Sequence, residues 1–180
     1  PDLWSAEMSP SSSSAEFRLC AIVPTYNNPK TIRLVVNKLS AHFQDIIVVD
    51  DGSDEEAQAI INSLLAENKA DVVRRPHNGG KDAAVKSGLL HASKNQFTHA
   101  LQIDADDQHD FDAIPGLIEA AQAQPRSLVL ASPQFDDSAP KARLFFRKLT
   151  QLWTNIETMG RIIHDPMCGF RVYPVNAAIA

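Results

Sequence analysis

The chain has 180 residues, 44% hydrophobic and 22% charged, enough for one soluble globular domain with a real core. Its formal net charge of −5 argues against a general nucleic-acid binder, which carries a basic excess or stripe. No apolar run approaches the ~18 residues of a membrane span, no signal peptide is visible, and two distant cysteines, Cys20 and Cys168, fit reduced thiols in the cytosol rather than a secreted disulfide scaffold.

Residues 1–16 are polar and Ser-rich and read as a loose tail, leaving 17–180 as the domain. "RLCAIVP" (18–24) reads as a buried strand. A helix follows in "NPKTIRLVVNKLSAHF", with Asn28 as N-cap and Pro29 at the first helical position. "DIIVVDD" (45–51) is a second strand, rich in β-branched residues. Ser53 and Glu56 have the spacing of a capping box before "AQAIINSLLAENK". "DVVRR" (71–75) is a short third strand. The helix "KDAAVKSGLLHASKN" then gathers Ala84, Val85, Gly88, Leu89 and Ala92 on one side. "THALQID" (98–104) is a fourth strand, and Asp112 is the expected cap of "AIPGLIEAAQAQ", whose Ile114, Leu117, Ile118 and Ala121 form a helical stripe. "SLVLAS" (127–132), the longer helix "KARLFFRKLTQLWTNIETMG" and a short strand in "MCGFRVYP" complete the chain. The tail end, "VYPVNAAIA", carries no capping signal and reads as a truncated C-terminus.

Strands alternating with helices predict an α/β fold with a mostly parallel sheet flanked by helices. The strands are continuous apolar runs, as expected when helices cover both faces. Ligands in such sheets bind beyond the carboxyl ends of the strands. Those ends read "PTYNN", "DDGSD", "RPHNGGKDAA" and "DADDQHD".

Asp104 and Asp106 are two residues apart, so in extended chain they point to one side. Paired carboxylates at a strand end repel unless a cation lies between them, and Mg²⁺ takes one or two carboxylates plus substrate phosphates. That reading is a metal site, the plainer one a solvated acidic loop. By the same alternation Asp107 faces away into solvent, while Asp110 and Asp112 belong to the helix start. Asp50 and Asp51 can accept hydrogen bonds from a base edge or a ribose hydroxyl, although Gly52 and Ser53 also make an ordinary turn. Gly79 and Gly80 before Lys81 make a phosphate-friendly turn, but neither a P-loop nor G-x-G-x-x-G. In "HDPMCGFRVYP", Gly169 signals close backbone approach, Arg171 can pair with phosphate, and Asp165 can act as a base; a structural Arg–Asp pair is the alternative. His109 can be a ligand, a proton donor or a loop residue, a lone His being more often bland, and the histidines show no zinc spacing. The basic amphipathic helix over 141–156 reads as core-packed with a solvated basic side; the other reading is peripheral association with an anionic membrane.

Taken together, "AIVPTYNN", "IIVVDDGSDE", "NGGKDAAVKSGL", "DADDQHD" and "CGFR" resemble the family 2 glycosyltransferases in order and spacing, from about residue 18 to 174. The resemblance implies the Rossmann-like, nucleotide-sugar-binding GT-A fold, with the DxD motif at Asp104 and Asp106. "D-x-D-x-Q-H" followed by "G-F-R" looks most like the branch that loads a sugar onto a polyprenyl or dolichyl phosphate, though Cys168 stands where that branch commonly has Ser. The resemblance puts Pro24, Tyr26 and Asn28 around the nucleotide and Asp51, with Asp50 beside it, at the base. It puts Asp104 near ribose and metal, with Asp106 and Gln108 as metal ligands for Mg²⁺ or Mn²⁺. Lys81 and Arg171 would face phosphates. It therefore implies a metal-dependent inverting transferase taking a nucleotide-diphosphate sugar donor and a lipid-phosphate or other acceptor, cytoplasmic and at the cytoplasmic face of a membrane. The rival readings are a non-catalytic nucleotide-sugar-binding sensor and a receiver-type signalling domain. A receiver wants a Lys after "SLVLAS", and none is there. A dehalogenase-type phosphatase carries D-x-D on its first strand, which here ends in "PTYN".

Overall fold

The computed structural model describes residues 16–131 and 169–180. The N-terminal tail, the helix expected over 141–160, Asp165 and Cys168 lie outside the described residues. The expected fold class holds. Among the described residues, six strands form one sheet in the order β3-β2-β1-β4-β6-β5. Four neighbouring strands, β1 (Leu19–Thr25), β2 (Ile46–Asp50), β3 (Asp71–Arg74) at the edge and β4 (His99–Gln102), are all parallel. β6 (Arg171–Pro174) runs antiparallel to β4, and β5 (Val129–Leu130) runs antiparallel to β6.

Alternation along the buried strands sorts their side chains into two cores. Ala21, Val23, Leu101 and Ile103 point to the layer made by α1 (Ile32–Leu39), α2 (Glu55–Ala66) and α4 (Ile114–Ala123), against Val35, Val36, Ile61, Leu64 and Leu117. Cys20, Ile22, Ile47 and Val49 point the other way, to α3 (Lys81–Lys94), which supplies Ala84, Val85, Leu89 and Ala92. The five-residue side predicted for α3 is the buried face. A short helical turn, α5 (Val175–Ala178), closes that layer through Val175. Fully burying residues such as Ile22 or Leu101 stabilises the fold by about 1.5–3 kcal/mol each.

The helix starts differ from the sequence reading. Asn28 does not cap α1: its Nδ2 donates to Thr25 Oγ1 and the Tyr26 carbonyl, and the helix begins only after Thr31. Ser53 makes no capping box, because its Oγ accepts the Asn27 amide; Asp54 caps α2 instead, accepting from Ala57 N. Asp110, not Asp112, is the capping side chain ahead of α4, accepting the Asp112 amide at a 3₁₀ turn over Phe111–Ala113. Cys20 is a buried free thiol whose pKa burial pushes up to about 12. His99 is structural: it is buried, bonds Thr98 Oγ1 and the Pro125 carbonyl at 2.9 Å each, and stacks on Phe17.

Candidate active site

The strand order turns at β1, with β2 and β3 on one side and β4 on the other. A cleft of about 350 Å³ opens at that turn, beyond the carboxyl ends of the strands. Each parallel strand contributes to it: Pro24, Thr25, Tyr26 and Asn28 from the end of β1, Asp51 after β2, Asn78, Gly80 and Lys81 after β3, and Asp104 to Asp106 after β4. A larger cavity of about 450 Å³ lies at the opposite ends of the strands, around Asp45, Asn68 and His91. Volume does not decide between them; the carboxyl-end position and the converging charged groups do.

Asp104 carries the electrostatics. Lys81 Nζ, at the first residue of α3, lies 2.6 Å from Oδ1 and donates to Oδ2 at 2.7 Å. His109 Nε2 lies 3.4 Å from Oδ2, with its ring against Phe170 at 5.1 Å. Burial alone would raise the pKa of Asp104, but the hydrogen bonds from His109 and Lys81 outweigh it and hold it at about 2. Oδ1 is buried and accepts no directed hydrogen bond, despite the nearby ammonium. Asp106 is exposed, and its Oδ1 accepts the Gln108 amide at 3.1 Å. Gly169 explains its own presence: a Cβ there would collide with Lys81 Nζ and with both carboxylate oxygens of Asp104. The close backbone approach expected at this glycine is therefore over the Asp104–Lys81 pair.

Asp51 is almost fully buried. It accepts a hydrogen bond from the Arg75 guanidinium, and from the amides of Gly79 (3.1 Å to Oδ1) and Gly80 (2.8 Å to Oδ2). The glycine turn read as phosphate-friendly therefore gives both amides to an internal carboxylate. Asp50 departs from the expectation of substrate contact. It is fully buried, with Oδ1 accepting the Ser53 amide at 2.9 Å and Oδ2 accepting Arg74 Nε at 3.0 Å, so it braces the turn from beneath. Asp107 also differs. Its φ of 62° breaks the strand alternation and swings the carboxylate onto Lys38, 2.7 Å away.

Among the expected site residues, the structure brings Pro24, Tyr26, Asn28, Asp51, Lys81, Asp104 and Asp106 to one cleft. Gln108 is exposed beside it, and Arg171 sits on β6 opposite Gln102, with its guanidinium 6.0 Å from the Tyr173 ring. Arg75 and His109 were missed as site neighbours. Arg75 finds Asp51 through tertiary contact and stands in no motif; His109 closes the D-x-D-x-Q-H run, whose spacing does not show that its ring turns back onto Asp104. Among the described residues, no group of three or more His, Cys, Asp or Glu side chains forms a closed metal site. Two carboxylates on one cleft, one with a buried oxygen that faces only the Lys81 ammonium and accepts no directed hydrogen bond, fit a hard cation that takes its remaining oxygens from a phosphate ligand.

A sequence profile described as glycosyl transferase family 2 matches residues 20–176. A dolichyl-phosphate beta-glucosyltransferase of Trichomonas vaginalis is 26% identical over 176 residues, covering 87% of this chain and 53% of its own length. A dolichol-phosphate mannosyltransferase of Pyrococcus furiosus is 29% identical over 164 residues, covering 85% of this chain and 45% of its own. The chain thus spans about half the length of these curated relatives. Among solved structures, glucosyl-3-phosphoglycerate synthase from Mycobacterium tuberculosis in complex with uridine-diphosphate matches with a TM-score of 0.67 at 20% identity, over 90% of this chain and 58% of that one. The same synthase in complex with Mn²⁺ and uridine-diphosphate-glucose matches with a TM-score of 0.67 at 19% identity, over 90% of this chain and 57% of that one. The fold is that of the GT-A glycosyltransferases.

Proposed function

The chain belongs to glycosyl transferase family 2, and from that membership we propose that it moves a sugar from a nucleotide-diphosphate sugar to a polyprenyl phosphate, with inversion at the anomeric carbon. The observation that carries the reading is the convergence of Asp104, Asp106 and Lys81 on one cleft at the carboxyl ends of the parallel strands. The relatives named for dolichyl-phosphate sugar transfer support the choice of acceptor.

Asp104 and Asp106 would hold Mg²⁺ or Mn²⁺ together with the donor diphosphate. Such an ion, when bound, neutralises charge on the departing nucleotide diphosphate. Lys81 brings a flexible ammonium to the same space and offers it to a phosphate oxygen. Pro24, Tyr26 and Asn28 form the wall against which the nucleoside packs. Asp51 acts on the opposite wall by fixing the Gly79–Gly80 backbone, and Arg171 and Gln108 are second-line candidates for the phosphate and the cation. The acceptor oxygen attacks from the side opposite the leaving diphosphate. A phosphate acceptor is already ionised and needs little help from a base; a hydroxyl acceptor needs one, and Asp165 is the candidate. We propose peripheral association at the cytoplasmic face of a membrane, where a polyprenyl phosphate would be held. Among the described residues no helix is long and apolar enough to cross a membrane.

Isothermal titration of uridine and guanosine diphosphates, with and without Mn²⁺, tests the donor half. Metal-dependent binding by the wild type and its loss in Asp106→Ala is the expected result. No metal-dependent binding, or undiminished binding in the variant, refutes it. Transfer of labelled sugar to a polyprenyl phosphate tests the second half; binding without turnover would mark a nucleotide-sugar sensor instead.

A further inference from the structure

We propose that Lys81 is a built-in stand-in cation: it neutralises Asp104 until a diphosphate draws its ammonium away, so that divalent cation and nucleotide are taken up together rather than in turn. The inference rests on the donor reading above for its ligand, but its geometry is independent of that reading. The ammonium spans both oxygens of Asp104, at 2.6 and 2.7 Å, so neither is open to a cation while Lys81 stays there. A divalent ion arriving alone meets a carboxylate already neutralised, and a positive charge held within a few ångströms of its own position. Both effects oppose it.

The two partners differ in freedom. The Asp104 side chain is 24% exposed, while that of Lys81 is 44% exposed. The backbone of Lys81 is fixed by its helix, since Ala84 and Val85 one turn on are packed in the core. Its four-carbon stem is free to swing. Gly169 closes over the pair from one side, with no room for a side chain, and His109 flanks Oδ2. Among the described residues, the way left open to the ammonium is the cleft, which both Lys81 and Asp104 line. A diphosphate entering there offers the lysine more negative charge than one carboxylate does. Once Lys81 turns to it, Asp104 joins exposed Asp106 as a free ligand pair.

The test is Mn²⁺ titration, followed by calorimetry and by the electron paramagnetic resonance signal of free Mn²⁺. The purified wild type, Lys81→Met and Lys81→Arg are each measured without nucleotide and with saturating uridine or guanosine diphosphate. Removing an ion pair of this exposure frees Asp104 enough for Mn²⁺ alone to bind Lys81→Met about fivefold tighter than wild type. Lys81→Arg, which keeps the charge, stays near wild type. Nucleotide diphosphate with Mn²⁺ binds Lys81→Met more weakly, so the two affinities move in opposite directions. A lysine with a merely structural role would not produce that split. The proposal is overturned if Mn²⁺ alone binds Lys81→Met no tighter than wild type, or not at all, with an unchanged circular dichroism spectrum; Lys81→Gln repeats the measurement should the methionine variant misfold. If neither nucleotide diphosphate binds the wild type, the transferase reading fails, and the comparison with Mn²⁺ alone still decides the role of Lys81.

Discussion

Replacing Asp51 with alanine separates a scaffold carboxylate from a ligand-binding one. In the folded protein this almost fully buried carboxylate accepts from Arg75 Nη1 and from the Gly79 and Gly80 amides. Hydrogen bonds to a charged group are worth about 1.5–3 kcal/mol each. Their sum overstates the loss, because Gly79 and Gly80 are exposed residues whose amides water can reach once the carboxylate is gone. The Arg75 side chain, 22% exposed, recovers part of its solvation as well. With those reductions the variant loses about 3 kcal/mol, which for a domain of this size lowers the melting temperature by about 6–12 °C. Urea unfolding followed by circular dichroism measures the first quantity and a thermal melt the second. Hydrogen exchange across residues 75–80 adds a local reading, with protection of the Gly79 and Gly80 amides collapsing in the variant. A stability loss below about 1 kcal/mol, with exchange at those amides unchanged, would refute the reasoning, since a buried carboxylate holding three donors cannot be that cheap to remove.

Two further outcomes follow from the packing and from the cleft. Gly88→Ala places a methyl group 2.6 Å from Ile22 Cγ2 and 3.0 Å from Val49 Cγ2, where α3 meets the sheet. It destabilises by about 1–3 kcal/mol despite alanine's better helix propensity, as the urea midpoint will register. Asp104 has its folded pKa held at about 2, below its ordinary value of 3.8. Its contribution to stability is therefore present above pH 4 and is lost as the pH falls from about 4 to 2. Asp104→Asn flattens the stability–pH curve over that window while leaving its neutral-pH shape unchanged.

The sheet was legible because a strand buried on both faces reads as an apolar run, and β1 and β2 are such runs; β4 is as buried but carries His99 and Gln102 at its ends. The parallel direction of β1 to β4 followed from the helices between them, but the direction of β6 was not legible. A run such as "FRVYP" reads the same whether its strand lies parallel or antiparallel, and the ordering of β6 between β4 and β5 depends on residues far apart in the chain. Helix starts were misread where several capping residues stand together. Asn27, Asn28, Ser53 and Asp54 are all competent caps, and only the left-handed Asn27 (φ 53°) decides which one is used: its amide takes Ser53 Oγ, and its Oδ1 accepts the Asp54 amide. In the cleft, the spacing of Asp104 and Asp106 and the position of Lys81 were readable because each stands at a strand or helix end. Asp50 was misjudged because sequence does not show which of two adjacent carboxylates turns inward, and here both do, each onto its own arginine. His109 was set aside as a lone histidine; its partner Asp104 is only five residues away, but the turn that joins them leaves no periodic signal.

The placement of β6 also constrains the order in which the molecule can be finished. During synthesis from the N-terminus, β1 to β4 and their helices can pair as soon as they emerge, because each uses a neighbour already made. The free edge of β4 must wait for Arg171–Pro174, and β5 must wait with it, since its partner is β6 rather than β4. Gly169 arrives two residues ahead of that late strand. The Asp104–Lys81 pair is therefore assembled before it is covered, and the cleft stays open on that side until residues 169–174 have been made.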